Sequence, residues 1–426
     1  MEPLKRILSL PASLSSLVLL ISAAAPLTTA ESPLTEDSQC GCYLTNGNQS
    51  TYFSDHRFFD FRSLSQYAGV PAVIRDYQSS PGADPTSGYF TSTDWTSFWM
   101  LGSWNNSNGA RADASVRMVN SPNNIYIEAS TEANPSSQTW LTLRTQRLQD
   151  FQTAAEVESA SAKFKYLSIR MRARTVGARG AITAMFTYRG ADTLAQVQES
   201  DLEIRTGDPR NLIHYTNQPA YTDAGDVVAQ ATANATMPGG LDWTAWAVHR
   251  MDWTPGRTTW YVDDVQVAQI EFQAPRDESN IILNAWSDGG KWTGNMTLND
   301  AAYLQVQWLE VVYNSTAAEG GKAKKRDGAG SAAAAAAAAA ACGAVCSVDQ
   351  TPQLGKPVML WKTGAAAKTN GSGRLVAWVP SAVVLWMVLL STGFLKGGGV
   401  AQPNMIRLKK PQRGGFIVGA QNGNHD

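Results

Sequence analysis

Cysteine is scarce in this chain: its 426 residues hold four, at positions 40, 42, 342 and 346, and none of its four histidines lies near a cysteine pair. That leaves no metal-ligand spacing and excludes a fold that depends mainly on disulfides, because a chain this long can bury an ordinary core. An excess of one charge sign is missing too. Lys and Arg number 35 against 36 Asp and Glu, a formal charge of −1. A nucleic-acid surface needs a clustered basic excess, so none is expected. No glycine-rich phosphate loop follows a strand-like run, and no internal repeat is present.

What the chain has in quantity is tryptophan, 14 residues of it. The flat indole face suits the apolar side of a sugar ring, and large β-sandwich cores consume Trp as well. Both readings stand for each one.

Residues 1–30 read as a secretory signal: Lys5 and Arg6 precede an apolar run from Leu14 to Ala25, and Thr28-Thr29-Ala30 supplies small residues before a cut. A signal anchor is the alternative, although the run is short for a span of ~20 residues. Asn-x-Ser/Thr acceptors at Asn48, Asn105, Asn234, Asn295, Asn314 and Asn370 become candidate glycan sites in a secreted chain. Residues 317–374, rich in Ala, Gly and Lys and containing the alanines Ala332 to Ala341, read as a disordered linker. Lys324-Lys325-Arg326 within it is either a processing site or a solvated charge cluster. Residues 375–395 form an uncharged stretch long enough to cross a bilayer. The tail 396–426 carries Lys396, Arg407, Lys409, Lys410 and Arg413, which places it in the cytoplasm. The small residues Asn370-Gly371-Ser372 support a lipid-anchor signal as the rival reading, but such signals end with their apolar tail. In an oxidising compartment the four cysteines pair, with three connectivities open.

Between residues 39 and 314 helical periods are few and short alternating runs are many. Leu167 to Ala173 and Leu304 to Val311 alternate apolar with polar residues, as half-buried strands do. Trp260-Tyr261-Val262, Asp263-Asp264 and Val265-Gln266-Val267 read as a hairpin with an acidic turn. The expectation is an all-β sandwich of two antiparallel sheets forming one domain over 31–316.

One segment of it carries chemistry. Glu199, Asp201 and Glu203 stand at alternate positions, so on a strand all three share one face. Like charges packed this way oppose one another and destabilise an ordinary sheet. A glycosidase uses such a set: one carboxylate attacks the anomeric carbon and another protonates the leaving oxygen. Mutual repulsion raises the proton affinity of one group, which suits a general acid. Two Glu Cα atoms four strand residues apart are separated by ~13 Å. Retention needs the carboxyl groups ~5–5.5 Å apart, so the side chains must lean together over a bent sheet. An exposed acidic strand face and a cation site are the bland readings, and a triplet so spaced arises by chance in about a quarter of such chains.

The text around the triplet narrows the choice. Gly180-Ala181-Ile182-Thr183-Ala184-Met185-Phe186 followed by Gln198-Glu199-Ser200-Asp201-Leu202-Glu203 resembles the strand pair of glycoside hydrolase family 16, whose signature is Glu-x-Asp-x-Glu after a Gly-rich apolar strand. Trp246 through Trp253-Thr254-Pro255, Trp260-Tyr261-Val262-Asp263, Leu283 to Gly290 and Val306 to Val311 resemble its later blocks in the right order, in a fungal-type arrangement. The resemblance implies a concanavalin A-like jelly roll with a concave substrate groove, acting with retention on β-glucan. It makes Glu199 the nucleophile, Glu203 the general acid/base and Asp201 the residue that orients the nucleophile. Trp95, Trp99, Trp104, Trp286 and Trp292 become candidates for sugar stacking. No cofactor is required, although some members bind a structural calcium. Two positions depart from the family pattern. Ser200 replaces an aliphatic residue and is expected to face away from the groove, while Ala247 and His249 stand where His and Tyr are usual. His249 reads as a hydrogen-bonded structural residue.

The expected whole is a monomeric endo-β-glucanase tethered to the cell surface by one C-terminal span, its partner a polysaccharide. A wall transglycosylase using the same covalent intermediate, and a lectin-like wall protein without turnover, are the alternatives.

Overall fold

The computed structural model describes residues 32–47, 50–106, 110–222, 226–316 and 342–362. The expected signal segment, the poly-alanine run, the apolar stretch 375–395 and the basic tail lie outside the described residues. Among those described, no helix is long and apolar enough to cross a membrane.

Strands dominate. In chain order they are β1 (Cys42–Leu44), β2 (Tyr52–Phe53), β3 (Asp55–Asp60), β4 (Trp99–Leu101), β5 (Trp104–Asn105), β6 (Met118–Asn120) and β7 (Ile125–Ala129). The next are β8 (Thr139–Arg147), β9 (Gln152–Ser159), β10 (Phe164–Gly177), β11 (Ile182–Arg189), β12 (Gln198–Arg205), β13 (Leu212–Gln218) and β14 (Thr232–Thr236). The last are β15 (Ala247–Thr254), β16 (Arg257–Val262), β17 (Val265–Ile270), β18 (Asn280–Trp286), β19 (Ala301–Ser315), β20 (Ala344–Ser347) and β21 (Val358–Lys362).

Two antiparallel layers form the sandwich. The first runs β14–β13–β12–β11–β18–β9–β4. The second runs β17–β16–β15–β10–β19, with β3 and β8 sharing the far side of the long β19 and β7 beyond β8. Alternation explains the layering. On β10, Leu167, Ile169, Met171 and Ala173 enter the core, while Arg170 and Arg172 between them point outward. Met185, Leu202, Ile204 and Leu283 of the first layer meet Met171, Met251, Trp253 and Trp260 of the second in one cluster. Each such large apolar side chain contributes ~1.5–3 kcal/mol when fully buried. The acidic hairpin forms as expected: Asp263 and Asp264 have φ of 45° and 63°, the paired positive values that the tightest hairpin turn requires.

A third layer was not legible in the composition. β20 and β21 lie inside the stretch expected to be a disordered linker, and they join β1 and β2 in a small sheet ordered β2–β1–β20–β21. Disulfides Cys40–Cys346 and Cys42–Cys342 staple this sheet across 306 and 300 residues of sequence. The linker reading therefore fails for 342–362, and the folded unit extends beyond 316 to Lys362. The cause is chain pairing rather than composition: β20 finds β1 as a parallel neighbour, and Tyr43, Phe53, Cys346 and Val348 pack on Val312 of β19.

Ions lock the small sheet to the outward face of the second layer. Asp349 Oδ1 accepts from Arg170 Nη1 (2.6 Å) and Arg250 Nη1 (3.4 Å), and its Oδ2 accepts from the Asn46 backbone amide (2.7 Å). Arg170 also donates to Glu310, and the His56 ring bridges Glu310 (2.9 Å) and Asp37 (2.8 Å). Apart from the exposed Asp37 the set is buried, and every charge in it faces an opposite one, the condition under which burying it is tolerable.

Candidate active site

The three carboxylates occupy the outward face of β12, an interior strand of the first layer between β11 and β13. Glu199, Asp201 and Glu203 are only 3%, 1% and 4% exposed. Outward-facing groups are buried so deeply only where neighbouring elements cover them. Ser200, Leu202 and Ile204 point the other way, into the core. Ser200 uses its hydroxyl there, donating to Asn217 Oδ1 (2.6 Å) and lying 2.8 Å from Thr258 Oγ1 of the second layer. A polar tie between the layers thus replaces the aliphatic contact usual at this position.

Register supplies the surroundings that spacing could not. Glu199 stands opposite Tyr188 and Gln218, Asp201 opposite Phe186 and Thr216, and Glu203 opposite Ala184 and His214. Gln218 Nε2 donates to Asp201 Oδ2 (3.1 Å), fixing the central carboxylate. The rows continue through β18 and β9, where Asn284 faces Glu156 and Ile282 faces Glu158. Asn280 and Glu158 are hydrogen-bonded to each other, and Asn284 Oδ1 has no hydrogen-bond partner among the described residues. Ile182, Ala184, Phe186 and Ile282 form the apolar part of this face.

The five tryptophans divide. Trp286 and Trp292 are half-buried and pack on that apolar strip. Trp104 reaches the same face, its Nε1 donating to Glu156 Oε1 (2.9 Å). Trp95 and Trp99 do not stack on a sugar. They are 1% and 2% exposed and sit in the main core against Phe59, Phe61, Phe90 and Phe98. Trp95 lies in a short helical turn and Trp99 on β4, and the turn directs both indoles inward.

A cluster beside Glu203 escaped the sequence reading. The His214 ring bridges Asp208 Oδ2 (2.6 Å) and Asn234 Oδ1 (2.8 Å) and stands edge-on to Trp292 at 5.3 Å between centroids. Arg205 lies over the Trp292 ring at 4.5 Å and pairs with Asp208 at 3.3 Å. Burial alone raises the Asp208 pKa, but the His214 hydrogen bond and the Arg205 charge outweigh it and hold the carboxyl below its ordinary value. The alternation of Leu212 to Gln218 predicts which residues share His214's face, but not that the face meets Glu203. For Glu156 and Glu158 the alternating Ala155 and Val157 were a usable signal.

His249 corrects another expectation. It is 1% exposed on the core side of β15, and neither ring nitrogen has a hydrogen-bond partner among the described residues. The structural calcium of some family members finds no cluster of three or more His, Cys, Asp or Glu among the described residues.

With this geometry in place, comparison with known proteins adds a family. The model for glycosyl hydrolases family 16 matches residues 114–310, which run from before β6 into β19. These residues are thus similar to the family 16 glycosyl hydrolases. A beta-glucanase of Paenibacillus polymyxa is 24% identical over 139 residues, 32% of this chain and 54% of that protein. A probable glycosidase of Saccharomyces cerevisiae is 26% identical over 168 residues, 37% of each chain. The chain thus spans about half the length of the beta-glucanase it matches, 54%. Among solved structures, a prokaryotic beta-1,3-1,4-glucanase (lichenase) from a mouse hindgut metagenome is 17% identical, with a TM-score of 0.40 over 61% of this chain and 99% of that one. Strands β6, β9, β10 to β13, β15, β16 and β18 all fall inside the matched stretch, which holds almost the whole of the carboxylate face.

Proposed function

We propose that this chain is a retaining glycosidase that cuts internal linkages of β-glucan outside the cell, with Glu199 as nucleophile and Glu203 as general acid/base. One observation carries the reading: three carboxylates at alternate positions of β12 share one face and are almost fully buried, within the stretch that matches the family 16 model. A glucan lying across the strands presents its glycosidic oxygen to Glu203, which donates a proton as that bond breaks. Glu199 attacks the anomeric carbon, and a covalent glycosyl-enzyme forms. Glu203, now a base, takes a proton from the water that releases the sugar. Asp201, held by Gln218, lies between them and orients the nucleophile. Trp286, Trp292 and Trp104 supply stacking surface along the cleft.

The beta-glucanase name of two relatives supports the substrate class. Two disulfides joining distant segments support an oxidising compartment, in keeping with residues 1–30 as a secretory signal and 375–395 as a membrane anchor.

The test is product analysis. The full chain and its Glu199→Gln variant, which keeps shape but removes the nucleophilic charge, are incubated with a panel of β-glucans. Expected are shorter oligosaccharides from the wild type, released first as the β-anomer by proton NMR, and a rate lower by about 10⁴-fold or more in the variant, with unchanged circular dichroism. Longer products signify transglycosylation through the same intermediate. Inversion at the anomeric carbon overturns the covalent step. Retention of glucan on a column by both proteins without turnover overturns the enzymatic reading in favour of a lectin.

A further inference from the structure

The acceptor triplet Asn234-Ala235-Thr236 occupies β14, the last strand on the β13 side of the catalytic layer. Asn234 stands opposite His214, and His214 stands opposite Glu203. The three therefore form one row across the cleft face. With neighbouring strands ~4.8 Å apart, Asn234 lies ~10 Å from the strand of the proposed acid/base. Unlike Glu203 and His214 it is exposed, so it marks an open end of the row. Its amide is also oriented. The His214 contact at 2.8 Å engages Oδ1, and no described residue bonds Nδ2, the atom to which an oligosaccharide is transferred. The Thr236 side of the triplet is exposed as well.

We infer that Asn234 carries an N-linked glycan in the mature protein, and that this glycan closes the β14 end of the cleft and limits how far a bound glucan extends past Glu203. The inference rests on the secretory and glucanase readings above. In the transfer, Asn234 Nδ2 attacks the anomeric carbon of a lipid-pyrophosphate-linked oligosaccharide. The Nδ2–C1 bond forms, the C1–oxygen bond to pyrophosphate breaks, the lipid pyrophosphate leaves with the bonding pair, and Nδ2 loses one proton. The product keeps Oδ1 as an acceptor, so the His214 bridge survives modification. His214 in turn is held by Asp208, which fixes the direction in which the glycan leaves the strand.

The chain offers its own control. Asn314, in the triplet Asn314-Ser315-Thr316, lies on β19 of the other layer, where its Oδ1 accepts from the Ser54 amide (2.9 Å). A glycan there is remote from the row that holds Glu203.

Peptide mapping of the full chain, expressed in a eukaryotic host and treated with a glycan-releasing amidase in heavy-oxygen water, reads occupancy at each triplet. Expected is conversion of Asn234 to labelled aspartate. An unmodified Asn234 beside other occupied triplets overturns the inference and leaves the secretory reading standing, whereas unmodified asparagine at every triplet overturns both. Rates on a long β-glucan and on a short oligosaccharide of the same linkage are then compared for wild type, Thr236→Ala and Thr316→Ala. Thr236→Ala removes the glycan without touching Asn234 or His214, and it is expected to raise the long-to-short rate ratio by about tenfold. Thr316→Ala is expected to leave the ratio unchanged. Native deglycosylation of the wild type should reproduce the rise, which guards against a misfolded variant. Equal ratios in all forms overturn the closed-end role while the glucanase reading holds. Absence of cleavage in every form overturns the glucanase reading and the closed-end role together.

Discussion

Replacing His249 by leucine measures what this fold loses by burying an imidazole without a partner. The ring lies among core residues of β15, with Met171 and Val262 opposite it on the flanking strands. Burial lowers its pKa from 6.5 to about 4, against a small upward pull from Asp263. Between pH 6.5 and 4 the unfolded chain therefore binds a proton that the folded chain refuses. Stability contributed by the neutral ring is complete above pH 6.5 and declines as pH falls toward 4. That difference is on the order of 3 kcal/mol. Leucine has nearly the same volume and does not titrate. At pH 7 it also removes an unsatisfied donor and acceptor, a gain of ~1–3 kcal/mol. Thermal unfolding of both proteins at pH 7 and pH 4 reads the difference. At about 2 °C per kcal/mol for a domain of this size, the variant's advantage should widen by roughly 6 °C on acidification. An advantage that does not change with pH refutes the depressed pKa. A variant less stable at both values refutes the unpartnered ring.

Two further perturbations probe the ionic layer under the small sheet. Asp349→Ala strips Arg170 and Arg250 of a shared acceptor while their side chains stay 12% and 4% exposed. A loss of ~3–5 kcal/mol is expected, with faster proteolysis of 342–362. A calorimetric loss near zero shows that the disulfides alone hold the sheet. His56 responds in the opposite direction to His249. Burial pushes its pKa down, but hydrogen bonds and charges from Asp37 and Glu310 hold it up at about 9. Its contribution is therefore complete below pH 6.5 and lost as pH rises to 9, on the order of 3 kcal/mol at most. His56→Gln should flatten that alkaline decline in melting temperature, and an unchanged slope counts against it.

The His249 and Asp349 cases show where sequence reading stops. His249 stands out in the linear text only as a departure from the family pattern, and Asp349 does not stand out at all. One lies in the core because Met251 and Trp253 set the alternation of its strand, and the other becomes a clamp because a segment of linker-like composition meets a partner some 300 residues away. Trp95 and Trp99 make the same point. Nothing local separates a core indole from a cleft indole when the turn that aims it is itself set by packing against Phe59, Phe61 and Phe98.

By itself the sequence determined the strand character of the sandwich and the common face of Glu199, Asp201 and Glu203. Both follow from a period of two residues, which any strand obeys whatever it packs against. It determined the Asp263-Asp264 turn as well, because positive φ at two adjacent positions is a local demand. Only the tertiary structure decided that His214 faces Glu203, that Gln218 holds Asp201, which tryptophans pack beside the carboxylate face, and how the cysteines pair. Those facts depend on register and docking between segments far apart in the chain, where the free energy of each contact is set by its partner and not by its neighbours in sequence.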